Sequence, residues 1–126
     1  MINIRLSSIF VTDQNLAEKF YTEKIGFVIK NDVPLGEHRW LTVGVDGNDF
    51  EMLLEPNSHP AAAEFAKKIF DDGIPATTLF VDDIQKEYER LSKLDVKFTG
   101  EPVAAGAVKV AVFDDTCGNY VQLCQL

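Results

Sequence analysis

The sequence predicts an α+β fold made from two copies of one βαβββ module, and three observations carry that prediction. The first is an internal repeat: Val11-Thr12-Asp13 opens a helical stretch that closes at Ile25-Gly26-Phe27, and Val81-Asp82-Asp83 opens another that closes at Leu94-Asp95-Val96. Arg39–Val43 likewise corresponds to Lys109–Phe113, and Gly47-Asn48 to Gly118-Asn119, with the offset near 70 residues throughout. The second is that each copy reads as strand, helix, then three strands. The third is size: 126 residues give one domain with a real core, and a repeat of this length must bury its apolar face against its twin. Module one is assigned to residues 1–56, a linker helix to 57–73 and module two to 74–126.

Each element has a local reason. Residues 4–11 are rich in Leu, Ile, Phe and Val and read as a strand. Asp13 can cap the helix that follows, in which Leu16, Ala17, Phe20 and Tyr21 recur at helical spacing, and Gly26 ends it. A second strand covers 27–30, and Asp32, Pro34 and Gly36 break the pattern after it. His38–Val45 is the third strand. Asp46-Gly47-Asn48 is a turn signal, because Asp-Gly supplies the positive φ of a tight hairpin. Asp49–Glu55 is the fourth strand, with Phe50, Met52 and Leu54 on a core face and Glu51, Leu53 and Glu55 on the other. Pro60 suits the first turn of a helix over 61–70 that ends near Gly73. The order then repeats: a strand at 76–81, a helix from Asp83 to about Leu94, and strands at 96–99, 107–113 and 119–124.

Composition narrows the function. A net charge of −8 argues against a nucleic-acid surface, which needs clustered Lys and Arg, and equally against an anionic membrane surface. No apolar run approaches the ~20 residues of a membrane span, and the first residues read as a strand rather than a leader, so a cytoplasmic protein is expected. Cys117 and Cys124 are not expected to form a disulfide there. A reactive Cys117 would need an electropositive setting, whereas Asp114 and Asp115 precede it, so it reads as a turn residue.

The repeat, with Val11-Thr12-Asp13, Phe20-Tyr21, Ile25-Gly26-Phe27 and Phe113–Asn119 followed by Gln122, resembles the vicinal oxygen chelate superfamily of glyoxalases, bleomycin-resistance proteins and extradiol dioxygenases. Gly36–Val43 and Asp115–Asn119 look closest to a glyoxalase-like bacterial branch. The resemblance implies that the modules pair into a cupped, barrel-like mixed sheet with helices outside, and that the protein is a homodimer. It further implies a divalent metal held by the first and fourth strands of each module. The first-strand ligand falls seven residues before the aspartate of Val-x-Asp, which is Leu6 in one half and Ala76 in the other; neither can bind a metal. The fourth-strand position in the second half is Gln122, and the repeat of Gly47 and Gly118 sets Glu51 opposite it. One carboxylate and one amide make a poor transition-metal site, so no cofactor is expected and no metal ligand is assigned. His59, in the linker, reads as solvated; His38 begins the third strand beside Arg39 and Trp40 and is the one histidine with a route to the cavity.

Without a metal, a cup remains whose lining follows from period-two alternation: Leu6, Ser8, Phe10, Glu51, Leu53, Ala76, Thr78, Tyr120 and Gln122, joined by Arg39 or Trp40 on the third strand. Arg39 and Trp40 face opposite ways, so Trp40 is either a stacking face in the cup or core. A largely apolar lining with a few polar groups suits a small-molecule ligand. Glu51 is the candidate catalytic residue: enclosed by Leu and Phe, its pKa would rise by desolvation toward that of a general base. Three readings follow. The protein binds a small apolar or aromatic molecule among Phe10, Trp40 and Tyr120. Alternatively it is a glyoxalase-like lyase or isomerase, or a dioxygenase-type enzyme, with Glu51 as base. Or it is a structural or regulatory dimer whose cup is filled by its own side chains.

Overall fold

A computed structural model describes residues 1–126. The elements run β1 (Leu6–Val11), α1 (Gln14–Lys19) continued by one π-helical turn (Phe20–Lys24), β2 (Val28–Leu35), β3 (His38–Gly44), β4 (Glu51–Pro56), α2 (Pro60–Asp71), β5 (Thr77–Phe80), α3 (Ile84–Lys93), β6 (Lys97–Phe98), β7 (Val103–Ala105), β8 (Val108–Asp114) and β9 (Tyr120–Gln125). The first module forms a sheet of order β1-β4-β3-β2, and the second one of order β5-β9-β8-β6 with β7 also on β8. In each, the first strand runs parallel to the last and the other pairs are antiparallel. The expected pair of βαβββ modules is therefore present.

The caps form as their residues dictate. The Asp13 carboxylate accepts from the backbone N–H of Asn15 (2.8 Å) and Leu16 (3.0 Å), and Asp83 accepts from Lys86 N–H (3.1 Å). His59 caps α2 through Nδ1, which accepts from Ala61 N–H at 3.0 Å, with Pro60 at the first helical position. After α1 the chain turns through Gly26 at φ +95°; after α3 the matching place is Asp95 at φ +65°. A left-handed conformation recurs at both sites, although only one carries glycine.

Two elements depart from the sequence reading. β2 continues through Asp32 and Pro34 to Leu35 instead of stopping at Lys30, and turns only at Gly36 (φ +61°). Proline is tolerated because β2 is the edge of its sheet. In the second module the corresponding stretch is cut into β6 and β7, with Gly100 and Pro102 between them. β7 was not expected. Phe50, expected on the core face of β4, precedes that strand and is 61% exposed, whereas Met52 and Leu54 are buried as expected.

One core joins the modules. Ile9, Val11, Leu41, Val43 and Leu54 of the first sheet and Ala111, Phe113, Val121 and Leu123 of the second belong to a single buried cluster. Phe20, beyond α1, meets Phe113 of β8 with ring centroids 5.8 Å apart. The turn between β8 and β9 ties the halves further. Asp115 is fully buried and accepts from Tyr21 Oη (2.7 Å), Cys117 N–H (2.7 Å), Asn119 N–H (3.0 Å) and Asn119 Nδ2 (3.0 Å). Asn119 Nδ2 also donates to the Phe10 carbonyl, and Thr12 N–H donates to the Cys117 carbonyl. No strand pairing joins β1 to β5, so the two sheets are separate hydrogen-bonded units.

Candidate functional site

Alternation along the strands gives each sheet one face toward the core and one away from it. On β3, Leu41 and Val43 point into the core, which places Trp40 and Thr42 on the outer face. On the same outer face lie Leu6, Ser8 and Phe10 of β1 and Glu51 and Leu53 of β4, with Leu6 directly opposite Glu51 and Ser8 opposite Leu53. These residues of module one thus share one sheet face, together with Trp40 and Glu55. Arg39 is not part of it. It projects to the helix side, donating to Asp32 (3.0 and 2.8 Å) and Asn15 (2.8 Å) and pairing with Glu18. These hydrogen bonds raise the guanidinium pKa further and lower that of Asp32. Arg39 fastens α1 to its sheet and has no free donor pattern aimed at a ligand.

Glu51 differs from its expected state. Its Oε1 accepts from Thr42 Oγ1 at 2.5 Å and from Asn31 Nδ2 at 2.7 Å. These two donors hold its pKa below the usual carboxylate value, and the side chain is not enclosed enough for desolvation to reverse that. The expectation of a raised pKa is corrected: donors that stabilise the anion win over burial. Asn31 and Thr42 are the residues that sequence reasoning missed. A register shift between Ile29 and Asn31 sets Asn31 opposite Thr42, and the glycine turn at Gly36 was the signal that would have fixed that pairing.

In the second module Thr78, Tyr120 and Gln122 also share the outer face. Gln122 Nε2 donates to Thr78 Oγ1 at 3.3 Å. Tyr120 is stacked on Phe70 of α2, with centroids 4.4 Å apart and planes 7° from parallel. Strand register corrects the expected pairing of Glu51 with Gln122. Leu53 lies opposite Ser8 and Thr42, and Gln122 lies opposite Thr78 and Val112, the repeat partners of those residues. Gln122 therefore corresponds to Leu53. The cause is the β3–β4 connection: residues 45–50 join those strands, whereas residues 115–119 join β8 to β9, one residue fewer.

The donor set can now be tested against a metal. The four positions are Leu6, Leu53, Ala76 and Gln122, three hydrocarbons and one neutral amide, and this set does not fit a divalent ion. No group of three or more His, Cys, Asp or Glu side chains is placed to hold one. His38 begins β3 opposite Leu35, and His59 is committed to its cap. Cys117 is buried, and desolvation followed by the nearby Asp115 charge pushes its thiol up to about 12, which makes it an inert turn residue.

The outer faces are open rather than enclosed. Leu6 is 41% exposed, Trp40 37% and Phe80 65%. Glu51 and Thr78 share a cavity of about 180 Å³, where β5 approaches Ser7 and Phe50. Phe10 lines a second, of about 280 Å³, beneath α2. The largest depression, about 590 Å³, lies elsewhere, between α3, the end of β5 and residues 25–27, and contains none of the predicted lining. Arg90 on its rim is engaged with Glu87 and with the Lys24 and Ile25 carbonyls, which marks it as a packing junction. No helix is long and apolar enough to cross a membrane.

Comparison with known proteins agrees with this geometry. Residues 4–123 match the Glyoxalase/Bleomycin resistance protein/Dioxygenase superfamily model. The protein YurT of Bacillus subtilis (strain 168) is 57% identical over 126 residues, covering 98% of this chain and 99% of YurT. The crystal structure of UcmS2 superposes with a TM-score of 0.86 at 37% identity, covering 100% and 99% of the two chains. That of TnmS3, an antibiotic binding protein from Streptomyces sp. CB03234, superposes with a TM-score of 0.79 at 29% identity, covering 99% and 96%. Repeat, topology and matches agree, and the chain belongs to the glyoxalase/bleomycin resistance protein/dioxygenase superfamily.

Proposed function

We propose that this protein binds a small apolar or aromatic molecule on its outer sheet faces without transforming it. The observation that carries this reading is the state of Glu51, opposite Leu6 on the sheet face that also carries Leu53 and Trp40. The carboxylate opposite Leu6 is held as an anion by Thr42 and Asn31, so it accepts hydrogen bonds well and removes protons poorly. The same face carries aliphatic side chains and, farther along the strands, the Trp40 indole, the mixture that small-molecule sites use. The antibiotic binding described for TnmS3 supports the same class of activity. The open faces lead us to include a second copy of the chain, which would cover the exposed Leu6, Trp40 and Phe80 and close the cup.

Thermal denaturation with a panel of aromatic natural products tests the reading. A ligand at a hundred times its Kd adds about 2.7 kcal/mol of stability, so a true ligand raises the melting temperature clearly. Trp40→Ala should abolish the shift, whereas Arg39→Ala, altered on the opposite face, should keep it. A panel that never moves the transition, or a shift indifferent to Trp40, defeats the proposal. The lyase or isomerase reading makes a separate demand: turnover of some substrate that Glu51→Gln eliminates.

A further inference from the structure

The linker helix α2 has no counterpart in the repeat, yet it reaches the predicted lining at two places. Phe70 lies flat on Tyr120 of β9, and Ala63, Ala66 and Phe70 face Phe10 of β1 across the cavity of about 280 Å³. Buried Cys117 and half-buried Gly118 of the β8–β9 turn also line that recess, whose walls are almost wholly hydrocarbon. Thr12 and Asn57 place polar atoms at its rim. The single charge there, Lys67, is engaged by Asp71 at 2.6 Å.

We propose that the recess beneath α2, between Phe10 and Phe70, is a subsite for a neutral, planar aromatic ring, and that Phe70 is its selecting residue. The inference rests on the small-molecule reading above and assigns that ligand's chemistry. Size comes first: drug-sized ligands occupy roughly 300–1,000 Å³, so this recess takes a ring system and leaves the rest of a larger molecule on the sheet face. Shape comes second. Phe70, held in place by its stack on Tyr120, is the aromatic wall of the recess opposite Phe10, and a planar ring packs between two such aromatic side chains better than a puckered one. Charge comes third. The walls at depth are hydrocarbon and the one charge, Lys67, stands at the solvated rim, so an ionised group seated in the recess would lose its hydration without a counter-ion beside it. A hydroxyl or carbonyl on the ring would meet Thr12 and Asn57 at the rim. α2 then acts as a selectivity element that the sheets alone do not supply.

The test uses 2-naphthol as probe, with decahydro-2-naphthol and 2-naphthoate as comparators, measured by calorimetry and proton NMR on the full chain. Saturable binding of 2-naphthol with upfield shifts of its ring protons is expected. The saturated and the ionised comparators should each bind at least tenfold more weakly. Phe70→Leu should weaken 2-naphthol at least tenfold, and Ala66→Leu, which fills the recess, should abolish binding. Phe65→Leu, on an exposed part of the same helix, should change nothing. Melting curves show that each variant is folded. Absence of 2-naphthol binding at millimolar concentration overturns the proposal, as does affinity unchanged in both Phe70→Leu and Ala66→Leu. If a panel ligand binds in a Trp40-dependent manner while these two variants are silent, the sheet-face reading stands and only the recess falls.

Discussion

Glu51 and Asp115 are both carboxylates on module turns or strand starts, and both accept hydrogen bonds from neighbours in their own module, yet the fold drives them in opposite directions. Glu51 stands on an open face with two side-chain donors, and its pKa falls. Asp115 is fully enclosed, and desolvation raises its pKa even against its four hydrogen bonds. The difference separates a group that can meet a ligand from one that holds the molecule together. A carboxylate in a buried network commits its oxygens to the protein, whereas one on a solvated sheet has capacity left for a visitor.

The contrast is broken most sharply by deletion. Asp115→Ala leaves Tyr21 Oη and two backbone N–H groups without their acceptor inside the core, and takes one of the two acceptors of Asn119 Nδ2. Urea denaturation should show a loss of about 3 kcal/mol or more, since each buried unsatisfied group costs about 1–3 kcal/mol. Glu51→Ala should leave the midpoint much closer to wild type. Equal losses at the two positions would mean that burial does not distinguish them.

The pH dependence sharpens the comparison with a smaller signal. Glu51 has a folded pKa below its unfolded value, so its contribution is present above the unfolded pKa and is lost as pH falls through the folded one. Asp115 has the reverse sign: its contribution is complete below the unfolded pKa and is lost as pH rises through the folded one. In wild type minus Glu51→Gln, the stability difference should therefore be flat at neutral pH and shrink once pH drops below about 4. Carbon-detected NMR titration should find Asp115 above the ordinary aspartate value and Glu51 below the ordinary glutamate value. A raised Glu51 or a lowered Asp115 would overturn the corresponding assignment.

The smallest effect compares the two helix ends. Gly26 and Asp95 occupy the same left-handed place in the repeat, at φ +95° and +65°. Asp95→Gly should stabilise by about 0.5 kcal/mol, because glycine adopts that conformation without a side-chain penalty. A destabilised Asp95→Gly would show that the Asp95 side chain contributes something beyond its backbone.

The repeat made the fold legible, because Asp13 and Asp83, and then Gly26 and Asp95, mark equivalent joints at an offset near 70. It misled where the copies differ by a residue. The matching of Gly47 with Gly118 carried Glu51 onto Gln122, while the strand pairings that decide register lie in Ser8, Thr42, Thr78 and Val112. The Asn31–Thr42–Glu51 cluster was hidden for a related reason. Pro34 reads as a strand breaker unless the strand is known to be an edge, and edge position belongs to tertiary structure. Trp40 was placed only by the core, since alternation gives two faces without saying which is buried. The stack of Phe70 on Tyr120 joins a helix and a strand with no repeat relation, so no spacing rule points to it.

The bond from Tyr21 to Asp115 spans 94 positions of the chain, and it sets a timetable. During synthesis the first module emerges with α1 formed but with the hydroxyl at its end still lacking its permanent acceptor. That acceptor arrives only after β8 has been translated. The N-terminal half must therefore wait, incompletely closed, for almost the whole polypeptide, and long-range closure of this kind is slow. An interrupted or truncated product that stops before Asp115 would expose the apolar surface around Phe20 and Tyr21 to aggregation and proteolysis.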